Sequence, residues 1–286
     1  MKSFLCCFAG YNASYQRKEH LQRHLAQHAL NGRKVPCPFR DLNDSKPRHK
    51  VQYYTQRYFQ YFHPQWPFLH PSTYNVENEP PLLVYSVVAI GLWVDVTAAS
   101  RVAALTLHAK LGYYIAKHQV CFTIPSCLSS ICPVATYQAI ILHLIFAVQR
   151  ILHAPLSGTH YDVLLALVEV CRRQHVFLYL KMVQRYRGIA STACVWVGVE
   201  EIKRLGMAPR SVCELYKHSF TGYVNARELV TWADLHFPVP DSDELWNAKS
   251  NEFLAQRLAE LKADPSLDGR CEEDWNSNLD RQTSCA

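Results

Sequence analysis

The residues best placed to do chemistry lie near the amino terminus. In the run Tyr15-Gln16-Arg17-Lys18-Glu19-His20-Leu21-Gln22-Arg23-His24-Leu25-Ala26-Gln27-His28, His24 and His28 are four positions apart. On a helix their imidazoles face the same way. Two nitrogen donors so spaced suit a structural zinc ion, which prefers a closed tetrahedral shell of imidazole and thiolate ligands. Cys6 and Cys7 carry thiols upstream. Catalytic chemistry is not signalled elsewhere. The chain has 14 His and 11 Cys, but no H-E-x-x-H, no G-x-S-x-G and no glycine-rich phosphate loop of either common type. His63, His70, His143, His153, His160 and His236 fall near loops or apolar faces, where a histidine is expected to be a satisfied core group. The chain is not expected to be an enzyme.

The helical run resembles the second half of a two-cysteine, two-histidine zinc finger, and its R-K-E-H-L-Q-R-H wording is similar to the fungal regulators of that class. Tyr15 and Leu21 stand where such a module keeps its miniature core. The resemblance implies zinc as cofactor, with Cys6, Cys7, His24 and His28 as the metal residues. Departure from the pattern is confined to the cysteine half. The spacing C-x2–4-C-x12-H-x3–5-H puts the second thiolate at position 11, and position 11 is Tyr. Either Cys6 or Cys7 fits as its partner. Four closures remain open: both adjacent cysteines, a Tyr11 phenolate, a water, or His20. The finger is therefore expected to be degenerate. By the family's docking geometry, Arg17, Glu19, His20 and Arg23 face the major groove. Arginine forks suit guanine O6 and N7, so the implied DNA partner is G-rich, near GGG.

Charge follows the same direction. Residues 1–50 hold ten Lys/Arg against three Asp/Glu, residues 51–240 fifteen against ten, and residues 241–286 five against eleven. A basic head favours a polyanionic partner or a targeting signal. One finger reads about three base pairs, and no second finger follows Cys37, because position 40 is Arg and no spaced histidine pair succeeds it. Arg33, Lys34, Arg40, Lys46, Arg48 and Lys50 offer phosphate contacts, which add affinity and salt dependence without sequence choice. An odd cysteine count over a long chain favours reduced, intracellular thiols. The apolar stretch Phe4 to Ala9 is shorter than the roughly 7–15 residues of a signal peptide, although Asn12-Ala13-Ser14 has the form of a glycosylation acceptor.

The elements that would carry these groups are helical. Residues 82–94, 100–118, 134–152, 163–173 and 193–205 have helical apolar spacing, and the last two end in basic residues. Period-two alternation is nowhere sustained. The runs 82–94 and 134–148 fall short of the about 20 apolar residues a membrane span needs, and are expected to be buried helices of a soluble bundle. Pro209 is expected to stop the helix that begins near Ala193.

A broader resemblance covers 51–262. Residues 58–74, with His63-Pro64-Gln65-Trp66-Pro67-Phe68, look like the opening of the fungal-specific transcription factor domain. Leu82 to Gly91 is similar to its first buried helix. Trp196 with Glu200, Glu201, Lys203 and Arg204 is similar to its W-x-x-x-E-x-x-[KR]-R helix. Phe237-Pro238-Val239-Pro240 closing on Leu245-Trp246-Asn247-Ala248 is similar to its proline-rich segment. In plain physical terms, Trp196 is core, and the proline segment is an extended strap whose Trp246 fills a surface pocket.

The expected architecture is all-α: a helical-bundle regulatory domain preceded by a small degenerate ββα zinc-finger-like module. The boundaries are 1–30 for the module, 31–50 for a basic linker, 51–262 for the helical domain and 263–286 for an acidic, flexible tail. Against that resemblance the chain reads as shortened, with a short linker and no further C-terminal helices. The implied function is a nuclear regulator of fungal RNA polymerase II genes, binding DNA through the finger helix and regulated through the helical domain. That domain is also the expected site of homo- or heterodimer formation. The alternative is a DNA-independent regulatory or dimerisation module acting through partner proteins.

Overall fold

The computed structural model describes residues 4–5, 14–15, 47–123, 134–150, 158–186, 191–219, 229–248 and 250–263. Among them, regular structure is overwhelmingly helical, as expected. Two short antiparallel strands, β1 (Phe4–Leu5) and β2 (Ser14–Tyr15), pair Phe4 with Tyr15. The helix expected after them lies outside the described residues, and so do the acidic tail and most of the linker. The chain divides into two compact units. One comprises Met1–Trp66 and Tyr74–His143, the other Pro67–Thr73 and Leu144–Ala286.

The first unit is built on α1 (Pro47–Tyr61), α2 (Pro81–Val94) and α3 (Ala98–Thr123). α1 begins inside the stretch read as linker. Pro81 opens α2, where its missing N–H costs nothing. α2 is apolar on nearly every side and packs on both α1 and α3. Its contact with α1 is close enough that a Cβ on Gly91 would sit 1.9 Å from the Tyr54 carbonyl oxygen. On the other side, Ala89 and Leu111 form a buried seam with Leu82, Tyr85 and Leu107. Thr97 caps α3 by accepting the Ser100 N–H at 3.1 Å, while the Ser100 hydroxyl donates to Asp95 at 2.7 Å. α4 (Val134–Gln149) is buried at every residue from Val134 to Ala147 except Thr136. That burial is what an all-round apolar helix requires.

The second unit is organised on α7 (Thr192–Ser219), against which α5 (Gly158–Arg173), α6 (Tyr179–Gln184) and α9 (Asn251–Ala263) pack. α5 ends in Arg172 and Arg173, as its charge pattern predicts. Its stop is a left-handed residue, His175, at φ 55°. His175 N–H bonds the Arg172 carbonyl and Val176 N–H the Cys171 carbonyl, which satisfies two helix-end acceptors. Beyond it, Leu178 bridges to His236 in parallel.

The expected stop at Pro209 is wrong: α7 continues through it to Ser219. Proline there removes one backbone donor and crowds the Leu205 carbonyl, yet Leu205, Ala208 and Val212 on both sides of it are buried. Packing of that apolar stripe outweighs the lost bond.

Candidate functional site

The sequence-derived metal residues Cys6, Cys7, His24 and His28 lie outside the described residues, as do the DNA-facing Arg17, Glu19, His20 and Arg23. The densest arrangement of charge that the structure describes is elsewhere, on α7 of the second unit.

Glu200, Glu201, Lys203 and Arg204 occupy consecutive turns of α7. The first three are buried. Buried charges must be paired and hydrogen-bonded, and here the partners come from a strap. Residues 237–241 form no helix and include two prolines, which have no N–H to donate. Three of the strap's backbone groups turn to the helix. Glu200 Oε1 accepts the Asp241 N–H at 2.8 Å. Lys203 Nζ donates to the Val239 carbonyl at 3.2 Å, and Arg204 Nη2 to the Asp241 carbonyl at 2.8 Å. Glu200 also pairs with Lys203 at 2.6 Å and Arg204 at 3.1 Å. Trp196 donates its indole N–H to the Asp241 carboxylate.

Trp246, on α8 (Asp243–Trp246), completes the arrangement. It is 1% exposed, as a side chain seated in a pocket is. The Arg204 guanidinium lies 4.4 Å above its ring, and the His70 ring meets it edge-on at 4.8 Å. His70 belongs to a second segment of this unit, and its backbone N–H donates to Glu201 at 2.9 Å. One helix motif thus holds two segments without helix or strand of their own. Sequence reading found Trp196, Glu200, Glu201, Lys203, Arg204 and Trp246, but missed what they bind. Two prolines before an Asp, next to a helix carrying charge at positions expected to be core, were the available signal.

Glycine admits the strap to α7. A Cβ on Gly206 would lie 3.1 Å from the Phe237 ring and 3.7 Å from that of Phe177. The same region holds Cys213, whose thiol burial pushes up to about 12 despite the opposing field of Arg210. It is a protonated packing group at neutral pH and not a nucleophile. In the first unit, His108 stacks on His143 with ring centroids 4.0 Å apart and donates from Nε2 to the His143 carbonyl at 3.0 Å. His63 and His70 are buried too, as core histidines are expected to be. His236 instead stands at the surface and contributes its backbone to the bridge with Leu178.

The clamp is a structural use of charge, and its atoms are committed to a folded strap. Comparison with known proteins adds what it leaves out. Residues 55–153 match the family model of the fungal specific transcription factor domain. That domain match takes in the second half of α1 and all of α2 to α4, whereas the α7 clamp and its strap fall beyond it. The chain is also similar to the zinc finger protein klf1 of Schizosaccharomyces pombe, 31% identical over 71 residues. Those residues are 25% of this chain and only 9% of that protein's length. No solved structure matches. Among the described residues, no helix is long and apolar enough to cross a membrane.

Proposed function

We propose that this chain is a transcription regulator of RNA polymerase II genes in a fungus, acting in the nucleus and not as an enzyme. DNA contact is through the zinc-finger-like run 15–28, and control is through the helical domain. The observation that carries this reading is the match of 55–153 to the fungal specific transcription factor domain, behind a strongly basic first 50 residues. The pairing of β1 with β2 just ahead of that run is what the first half of a ββα module needs. In this reading Cys6 or Cys7 with His24 and His28 holds zinc. Arg17, Glu19, His20 and Arg23 read a G-rich triplet. The basic linker adds phosphate contacts whose strength falls with salt.

A second reading is favoured by one observation: Tyr11 stands where the second thiolate belongs. A structural zinc site contributes roughly 10–16 kcal/mol to such modules, which are unfolded without it. Loss of one thiolate would leave a helical module that acts through partner proteins, as a homo- or heterodimer.

Zinc stoichiometry on the full chain and on His24→Ala, paired with retention on G-rich and scrambled duplexes across a salt series, separates the two. The first reading expects one zinc per chain, lost in the variant, with preference for the G-rich duplex. No zinc, with retention that ignores sequence and vanishes with salt, overturns direct DNA reading and leaves the second.

A further inference from the structure

α3 is apolar on two faces, and its own unit covers one of them. Ala104, His108, Leu111 and Ile115 are buried on the side that packs on α2. The outward line is Ala99, Val102, Thr106, Ala109 and Tyr113, every one exposed, with Val102 at 65% and Tyr113 at 70%. Thr106 donates its hydroxyl to the Val102 carbonyl at 2.9 Å, so that donor is already used within the helix. Steps of three and four residues alternate along the line. This is the 3.5-residue period on which one helix seats against another. A helix face that met only water would carry polar groups there. From Ala99 to Tyr113 the line runs about 21 Å.

Charge decides what kind of helix fits. α3 holds Arg101, Lys110 and Lys117 and no Asp or Glu. Lys110 and Lys117 are both exposed and one heptad apart, so they flank the line on the same side. The structure places Lys117 beside the line directly, with its Nζ 5.8 Å from the centre of the Tyr113 ring. Arg101 turns off the line, its guanidinium 5.5 Å from the centre of the Trp93 ring. Carboxylates from outside α3 complement the two lysines. A second copy of α3 is a poor occupant, because it brings only cations to that flank. A nucleic-acid backbone would meet the charge but leave Val102 and Tyr113 without apolar cover.

We propose that the face of α3 from Val102 to Tyr113 seats an amphipathic helix of a partner protein, with apolar residues on the same heptad period and carboxylates flanking them. Val102 and Tyr113 are the apolar anchors, and Lys110 and Lys117 pair with the partner's carboxylates. The contact is independent of zinc and of DNA reading by the run 15–28. It gives the helical domain a way to select partners by charge.

The test is fluorescence anisotropy of a labelled synthetic helix with Leu at the a and d positions and Glu at e and g, titrated with the full chain. A peptide with Lys in place of each Glu is the charge control. The Glu peptide is expected to bind and the Lys peptide to stay free. Binding falls severalfold in Val102→Gln and in Tyr113→Gln. It falls likewise at about 1 M salt, where the screening length is about 3 Å. Lys110→Glu combined with Lys117→Glu reverses the preference between the peptides. All four side chains are exposed, so these substitutions leave the fold intact, and circular dichroism checks this. Four results overturn the proposal. Neither peptide binds. Both bind alike, so that charge selects nothing. The Glu peptide binds but ignores Val102→Gln and Tyr113→Gln, which puts its contact elsewhere. Or sedimentation shows that the chain self-associates and that Tyr113→Gln disperses it, which assigns the face to a second copy.

Discussion

His175 holds a conformation that glycine holds without strain. A non-glycine residue in the left-handed region costs of order 1 kcal/mol, and His175 sits there at φ 55° to end α5. His175→Gly is expected to raise stability by about 0.5–1 kcal/mol, net of the greater freedom glycine brings to the unfolded chain. Urea denaturation reads this directly. At Cys213 the raised thiol makes two predictions of one kind. In the native protein, a thiol alkylating reagent at pH 8 reacts with the half-buried Cys194 and leaves Cys213 unmodified until denaturant is added. The folded value lies above the ordinary one near 9. The stabilising contribution is thus complete below about pH 9 and is lost as pH climbs toward about 12. The buried phenols of Tyr58 and Tyr216 are displaced upward by burial as well and act in the same sense.

At the scale of elements, two contacts decide whether helices and straps can meet. Gly91→Ala forces α1 and α2 apart at the Tyr54 carbonyl, because backbone cannot yield as a flexible side chain can. Overpacking of this kind costs about 1–3 kcal/mol, seen as a lower denaturation midpoint. Glu200→Ala removes one partner from a buried pair whose side chains are 1% and 2% exposed. It also frees the Asp241 N–H that Glu200 accepts. Breaking a buried pair costs about 3–5 kcal/mol, measured by the same denaturation. These elements differ in how openly the sequence declares them. α2, α4 and α5 were legible from apolar spacing, since their burial is a property of their own residues. The length of α7 was not, because a proline penalty is local while the packing that outweighs it comes from other segments. What covers Trp246 was illegible for the same reason: it is Arg204 and His70, far away in sequence.

At the scale of the whole molecule, charge and fold are distributed in opposite directions. The basic head and acidic end carry the sequence's clearest functional signals, and the packed middle carries its clearest structural ones. The proposed DNA-facing and metal residues rest on pattern alone, since a finger's fold depends on its ion and not on a core. In the middle, a chain ending before Asp241 lacks the backbone N–H that Glu200 accepts, the carbonyl that Arg204 reaches and the carboxylate beside Lys203. It is expected to lose the cooperative unfolding transition of the second unit, which calorimetry would show as a missing or broadened peak. The joining of His70 to Glu201 has a further consequence in time. On the ribosome, the segment bearing His70 is complete well over a hundred residues before its acceptor exists, and longer still before Trp246 arrives to shield it. Through that interval its aromatic neighbours are an open target for chaperones. The rate of translation across 70–246 then becomes a variable in how much native protein a cell obtains.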